Sequence, residues 1–154
     1  MLCWAGMNTD SEHREGKGHC LLVRSGGHRC AIPVDAAKLV TKAPRIYPLH
    51  GSKPRLLGLA QIAGEPVAVV DLQALLDPEG GAAGGHELTV IIRGPTGGST
   101  LGLAVDEAFG VIAVTGELSR REDDPRWIAG RSSLDDRLVV VLDPEQLFVA
   151  PRSG

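Results

Sequence analysis

The sequence predicts a mainly β protein built as two similar small barrels with a few short helices. Three observations carry that prediction. Segments of the first half recur in the second at nearly one spacing. Twenty glycines and ten prolines in 154 residues supply many tight turns and leave little room for long helices. Short apolar or alternating runs are broken by turn residues roughly every eight to twelve positions, the rhythm of small barrels and sandwiches.

The repeat is the most specific of the three. Leu56-Leu57-Gly58 leads to Val69-Val70-Asp71 and then Leu75-Leu76. Ile128-Ala129-Gly130 leads in the same way to Val141-Leu142-Asp143 and then Leu147-Phe148. The two glycines and the two aspartates are each 72 positions apart. Ile32-Pro33-Val34-Asp35-Ala36-Ala37 matches Leu103-Ala104-Val105-Asp106-Glu107-Ala108 at an offset of 71.

In chain order, residues 1–18 read as a flexible tail, with Met7 as a second candidate start. The first barrel half is expected over about 19–77. It opens with a hairpin, Cys20 to Arg24 and His28 to Ile32, around Gly26-Gly27, which supply the positive φ that a two-residue turn demands. A short helical turn is expected from Val34 to Val40. Beyond a loop punctuated by Pro44, Pro48 and Pro54 come strands Leu56 to Ile62 and Pro66 to Val70. Asp71 is placed to cap a short helix, Leu72 to Leu76. Residues 77–86, acidic and Gly-rich, read as a connector.

The second half, about 87–150, repeats the plan. Strands are expected at Leu88 to Arg93, Leu101 to Val105, Trp127 to Ser132 and Arg137 to Leu142. Ala108 to Val114 follows, then a charged loop, and Asp143 with Pro144 opens a closing helix. A unit of about 60 residues is marginal alone, so the two units are expected to pack together and to present surface for partners.

Composition excludes several function classes. A net charge of −3 and 3% aromatics offer neither a basic field nor a stacking platform for nucleic acid. No apolar run approaches the ~20 residues that span a bilayer. Cys3, Cys20 and Cys30 form no even disulfide set, so a reducing cytoplasm is the expected location.

The candidates for chemistry are weak. His19, Cys20, His28 and Cys30 share one hairpin, but its two-residue turn sets Cys30 opposite Val23 and away from Cys20, and zinc ligands usually come in closer pairs. Gly94 to Thr100 lacks the Lys of a phosphate-binding loop. Glu122, Asp123 and Asp124 lie in a mixed-charge run and read as a solvated loop, and Asp135-Asp136 reads as a turn. No cofactor, metal or catalytic residue is expected.

The stretch Gly58-Leu59-Ala60-Gln61-Ile62-Ala63-Gly64-Glu65-Pro66-Val67-Ala68-Val69-Val70-Asp71-Leu72 resembles the signature of the CheW family, Gly-x-x-Asn-Leu-Arg-Gly-x-x-x-Pro-x-x-Asp-Leu. Gly102-Leu103-Ala104-Val105-Asp106 resembles its Gly-apolar-apolar-Val-Asp element, and the likeness runs from Cys20 to Phe148. It implies two five-stranded SH3-like barrels and a non-catalytic adaptor. The implied partners are the regulatory domain of a CheA-type histidine kinase and the cytoplasmic tip of a chemoreceptor. It also implies partner contacts at Ala37, Leu39 and Val40, at Gly58, Gln61, Ile62 and Ala63, and at Val105.

Three departures stand out. Ala63 replaces the usual Arg, Leu39 replaces a common Glu, and Ala68 replaces the signature Pro. A partner's buried charge left unpaired costs about 2–5 kcal/mol, roughly 30-fold to several thousand-fold in affinity. The sequence therefore implies an adaptor with altered partner specificity. The alternatives are a scaffold that has lost receptor coupling and docks on another signalling protein or itself, and a small ligand- or metal-binding barrel.

Overall fold

The computed structural model describes residues 18–48, 56–77, 87–94, 99–115 and 117–148. Among the described residues, ten strands, one α-helix and one 3-10 turn follow each other in order. They are β1 (Gly18–Ser25), β2 (His28–Pro33), β3 (Ala37–Lys42), β4 (Leu56–Ile62), β5 (Glu65–Asp71), α1 (Leu72–Leu76), β6 (Leu88–Arg93), β7 (Thr100–Val105), β8 (Glu107–Val114), β9 (Ile128–Leu134), β10 (Arg137–Leu142) and the turn Pro144–Leu147. The strands form two five-stranded sheets, in the orders β8-β1-β2-β10-β9 and β3-β6-β7-β5-β4. Each is an open sheet, not a closed barrel, and each is consistent with the SH3-like expectation.

The sequence repeat and the sheets do not coincide. The second sheet is one uninterrupted stretch of chain from β3 to β7, whereas the first joins β1 and β2 to β8, β9 and β10. Residues 77–86 therefore link two elements of the same sheet rather than separating two barrels. Two parallel pairings carry the exchange between halves: β5 lies beside β7 with Val69 opposite Gly102, and β10 lies beside β2 with Val141 opposite Ala31. These registers are the same one, displaced by the repeat. Substituting β3, β4, β5, β6 and β7 for β8, β9, β10, β1 and β2 turns one sheet order into the other.

Three apolar clusters hold the sheets. The central one takes Val23, Cys30, Ile32 and Leu142 from the first sheet, Val90, Ile92, Leu103 and Val105 from the second, and Leu72 and Leu75 from α1. A smaller cluster belongs to the first sheet (Cys20, Leu22, Ala31, Val114, Val139, Val141) and another to the second (Ala60, Val69, Ala104). Strands β2, β7 and β10 are buried on both faces, which explains their continuous apolar runs. Trp127 ties the closing segment to α1: its indole N–H donates to the Leu75 carbonyl at 3.0 Å, while the Asp143 N–H donates to the Trp127 carbonyl at 2.7 Å.

Local chemistry explains the turns. The β1–β2 hairpin pairs Ser25 with His28 and Val23 with Cys30, so Gly26-Gly27 is the two-residue turn the sequence implies. Asp106, from the far half, accepts the Gly26 N–H at 2.8 Å. The Asp71 carboxylate accepts the Gln73 N–H at 3.0 Å and so caps α1 as expected. Asp143 stands at the same place before the closing turn, yet its side chain makes no cap bond, and the segment is a 3-10 turn. Burial, then the nearby Glu145 charge, raises the Asp143 pKa.

One expected element is corrected. The chain does turn at Pro33–Ala36, with the Ala36 N–H donating to the Pro33 carbonyl at 3.0 Å, but Ala37 to Lys42 is strand β3 and not helix. Its pairing with β6 skips a residue between Ala37 and Leu39, leaving Lys38 as the extra residue of a β-bulge. The bulge breaks the period-2 alternation that identifies a strand. The start of β1 at Gly18 also trims the expected tail by one residue. Residues 1–17, 49–55 with Pro54 of the expected loop, all of the 77–86 connector except Asp77, and 95–98 of the glycine-rich turn lie outside the described residues.

Candidate functional site

The residues for which partner contacts are expected fall on opposite edges of the second sheet, and one lies in the core. Ala37, Leu39 and Val40 are on edge strand β3, where Leu39 is 45% and Val40 39% exposed. Gly58, Gln61 and Ile62 are on the other edge strand, β4, and Ala63 is at its tip. Val105 ends β7 and is fully buried in the central cluster, so it packs the core and presents no surface to a partner.

Gly58 acts through its backbone. At φ 146° it adopts a conformation that side chains avoid, and a Cβ there would sit 2.3 Å from the Tyr47 carbonyl oxygen. That close approach lets Tyr47 bridge to β4. The Tyr47 N–H donates to the Leu59 carbonyl at 2.8 Å, and the Leu59 N–H returns a bond at 3.0 Å. Tyr47 is thereby held with 54% of its surface exposed beside Leu59 at 37%, and the Arg45 guanidinium lies 5.4 Å from its ring centre. Neither Tyr47 nor Arg45 was expected from the sequence. The available signal was the only tyrosine of the chain, set between Pro44 and Pro48.

Ala63 and Gly64 form the two-residue turn between β4 and β5, with φ of 54° and 84° and Ile62 opposite Glu65. Positive φ at both positions makes this a type I′ turn, and it points the exposed Ala63 outward at the hairpin tip.

The first sheet repeats this geometry with different chemistry. Gly130, at φ 157°, lets Ser119 bridge to Arg131 on β9, as Gly58 lets Tyr47 bridge to Leu59. Asp135-Asp136, with φ of 53° and 67°, is the turn matching Ala63-Gly64, as its composition implied. The bridge here is closed by charge. The Asp124 carboxylate takes both Arg131 N–H groups, at 2.8 and 2.9 Å, and the Arg121 backbone N–H at 2.7 Å. The Arg120 guanidinium donates to the Ile128 carbonyl. Asp124 is therefore not the solvated loop residue expected: its side chain is only 4% exposed. The Arg131 hydrogen bonds hold its carboxyl down at about 2. Where one sheet is sealed by an ion pair, the other leaves Leu59 and Tyr47 bare.

The remaining candidates are not assembled into a site. Cys20 is opposite Pro33 and Cys30 opposite Val23. Burial, with the Asp35 charge adding to it, pushes the Cys20 thiol up to about 11, and full burial pushes Cys30 higher. No group of three metal-ligating side chains occurs among the described residues. A cleft between edge strands β8 and β9, lined by Ile112, Val114, Ser132, Leu134 and Val139 among others, holds about 50 Å³. Ligand pockets run to about 300–1,000 Å³, so this one admits little more than water. No helix among the described residues is long and apolar enough to cross a membrane.

Comparison with known proteins places this geometry. The model of the CheW-like domain family matches residues 19–152. Among solved structures, the crystal structure of the scaffolding protein TtCheW from Thermoanaerobacter tengcongensis is similar at a TM-score of 0.71 and 17% identity, covering 87% of this chain and 94% of that one. A search of curated proteins finds no match. With two pseudo-equivalent five-stranded sheets and a family match spanning nearly all the described residues, the chain belongs to the CheW-like domain family.

Proposed function

We propose that this protein is a non-catalytic signalling adaptor of a bacterial chemosensory pathway. It links the regulatory domain of a CheA-type histidine kinase to the cytoplasmic tip of a chemoreceptor, with a partner specificity shifted from that of its relatives. Family membership and the likeness to a scaffolding protein support the adaptor role. The observation that carries the shift is the chemistry of the two edges of the second sheet. Leu39 and Ala63 are exposed and neutral where the family pattern places charge, and Val40, Leu59 and Tyr47 extend the apolar surface. A partner relying on Arg at position 63 would leave a carboxylate unpaired here, whereas an apolar partner surface would gain contact area.

Calorimetry against the kinase regulatory domain and a receptor tip from the same genome tests this directly. Binding of at least one supports coupling; failure of both, with the fold intact, refutes it. The absence of Arg at position 63 also favours a second reading, a scaffold that no longer engages receptors. Leu39→Glu combined with Ala63→Arg separates the two. Receptor binding gained only by the double variant identifies the scaffold, while binding by the native chain identifies the coupler.

A further inference from the structure

The positive charge of this protein is segregated in a way its fold does not require. Between Ala36 and Gly64 the chain carries Lys38, Lys42, Arg45, Lys53 and Arg55 and not one carboxylate, although acidic residues outnumber basic ones 19 to 16 overall. Lys38, Lys42 and Arg45 are exposed, and among the described residues none of them pairs with a carboxylate. Lys38 and Lys42 lie on β3, whose outer edge hydrogen-bonds to no strand among the described residues, and between them stand the exposed Leu39 and Val40.

Lysines on an edge strand are a common guard against unwanted strand pairing. The internal symmetry argues against that as a sufficient cause here. Strand β8 is the counterpart of β3 and is also an edge, with Phe109 at the bulge position of Lys38 and Ala113 at the position of Lys42. It exposes 43% of Phe109 and 59% of Val111, more apolar surface than β3, yet carries no lysine. Arg29 lies 4.8 Å from the Phe109 ring centre, but β8 itself carries no basic residue, even beside the exposed Val111.

We propose that β3 is a docking strip for an acidic, extended polypeptide segment that adds along the free edge of the sheet. Its backbone would meet the outward N–H and C=O groups of β3, its carboxylates Lys38 and Lys42, and its apolar side chains Leu39 and Val40. Lys38 and Lys42 are four residues apart, about 13 Å along a strand, so carboxylates repeating at about that interval fit both. A membrane surface or a polyphosphate could meet the charge but has no backbone to satisfy the edge. The inference takes from the adaptor reading only that the partner is a protein.

The test uses the full chain and a nine-residue probe peptide alternating Val with Asp or Glu, beside the same peptide with Lys at the acidic positions. Amide chemical shifts and affinities are read at about 50 and about 300 mM salt. The acidic peptide is expected to shift Ala37 to Lys42 and to weaken with salt, while the basic one does not bind. Lys38→Glu with Lys42→Glu is expected to weaken the acidic peptide about tenfold or more and to gain binding of the basic one. Shifts confined to other strands, or no binding of the acidic peptide, overturn the strip. So does tighter binding of heparin or phosphatidylserine vesicles at the same residues. If the strip fails while the kinase domain or receptor tip still binds, the adaptor reading stands without it.

Discussion

Replacing Asp124 with Asn should destabilise the protein by about 1–2 kcal/mol at neutral pH, and by markedly less in acid. The carboxylate accepts three charge-assisted or backbone hydrogen bonds with its side chain 4% exposed, and its pKa falls from 3.8 to about 2. A fall of nearly two units corresponds to at most about 2.4 kcal/mol at 1.36 kcal/mol per unit, and solvent screening of a pair this near the surface reduces that to about 1–2 kcal/mol. Because the folded value is the lower one, the unfolded chain binds the proton first as pH drops. The contribution is complete above about pH 5, roughly halved at pH 3, and nearly gone once pH passes below about 2. Urea unfolding of both proteins at pH 7 and pH 3 measures the difference. The penalty of the variant should shrink by about half, roughly 0.5–1 kcal/mol, between the two. An equal penalty at both would show that Asn disturbs packing and that the charge is idle. A penalty under about 0.5 kcal/mol at pH 7 would place the pair with ordinary surface ion pairs.

Other positions give independent tests. Ala63 occupies a left-handed conformation that costs an L-residue about 1–2 kcal/mol, so Ala63→Gly should stabilise by about 0.5–1 kcal/mol after the added chain entropy, read as a higher melting temperature. Gly58→Ala should cost at least about 2 kcal/mol, since its Cβ meets the Tyr47 carbonyl at a disfavoured φ; unchanged stability would deny the Tyr47 bridge its role. The same loss is expected for Gly130→Ala, whose Cβ would sit 2.6 Å from the Leu118 Cβ. With Cys3 replaced by Ser, the raised thiols of Cys20 and Cys30 should resist a disulfide reagent at pH 8 until urea unfolds the chain. Rapid labelling of the native protein would contradict their burial.

The sequence made the repeat legible because the repeat is written in backbone-determining residues. Gly58 and Gly130 share a forbidden φ, Asp71 and Asp143 stand before matching helical turns, and Gly26-Gly27 sets a register that the structure keeps. The same repeat hid the exchange of strands. β5 and β10 present equivalent apolar faces, as do β2 and β7, so pattern alone cannot say whether β2 pairs with β5 or with β10. Strand β3 escaped notice because its bulge disrupts the alternation and its edge position removes the burial that would have marked it. Asp124 was misread because its partner lies seven residues on, across a fold in the chain that composition does not reveal. Val105 was placed at a surface on family likeness, while its position among Val23, Ile32 and Val90 makes it core.

The uninterrupted run from β3 to β7 has a consequence during synthesis. As the chain leaves the ribosome, the second sheet has all its strands once Val105 has emerged, whereas β2 must wait for β10, completed at Leu142, before its parallel partner exists. Until then the hairpin of β1 and β2 carries Ala31 and Cys30, later fully buried, without the neighbour that covers them. The nascent protein therefore passes through an interval with one sheet formed and an apolar hairpin waiting, the state in which a chaperone or a second nascent copy would find a strand to bind. A circular permutant opening at β8 and joining Phe148 to Gly18 through a linker would make both sheets contiguous and close that interval.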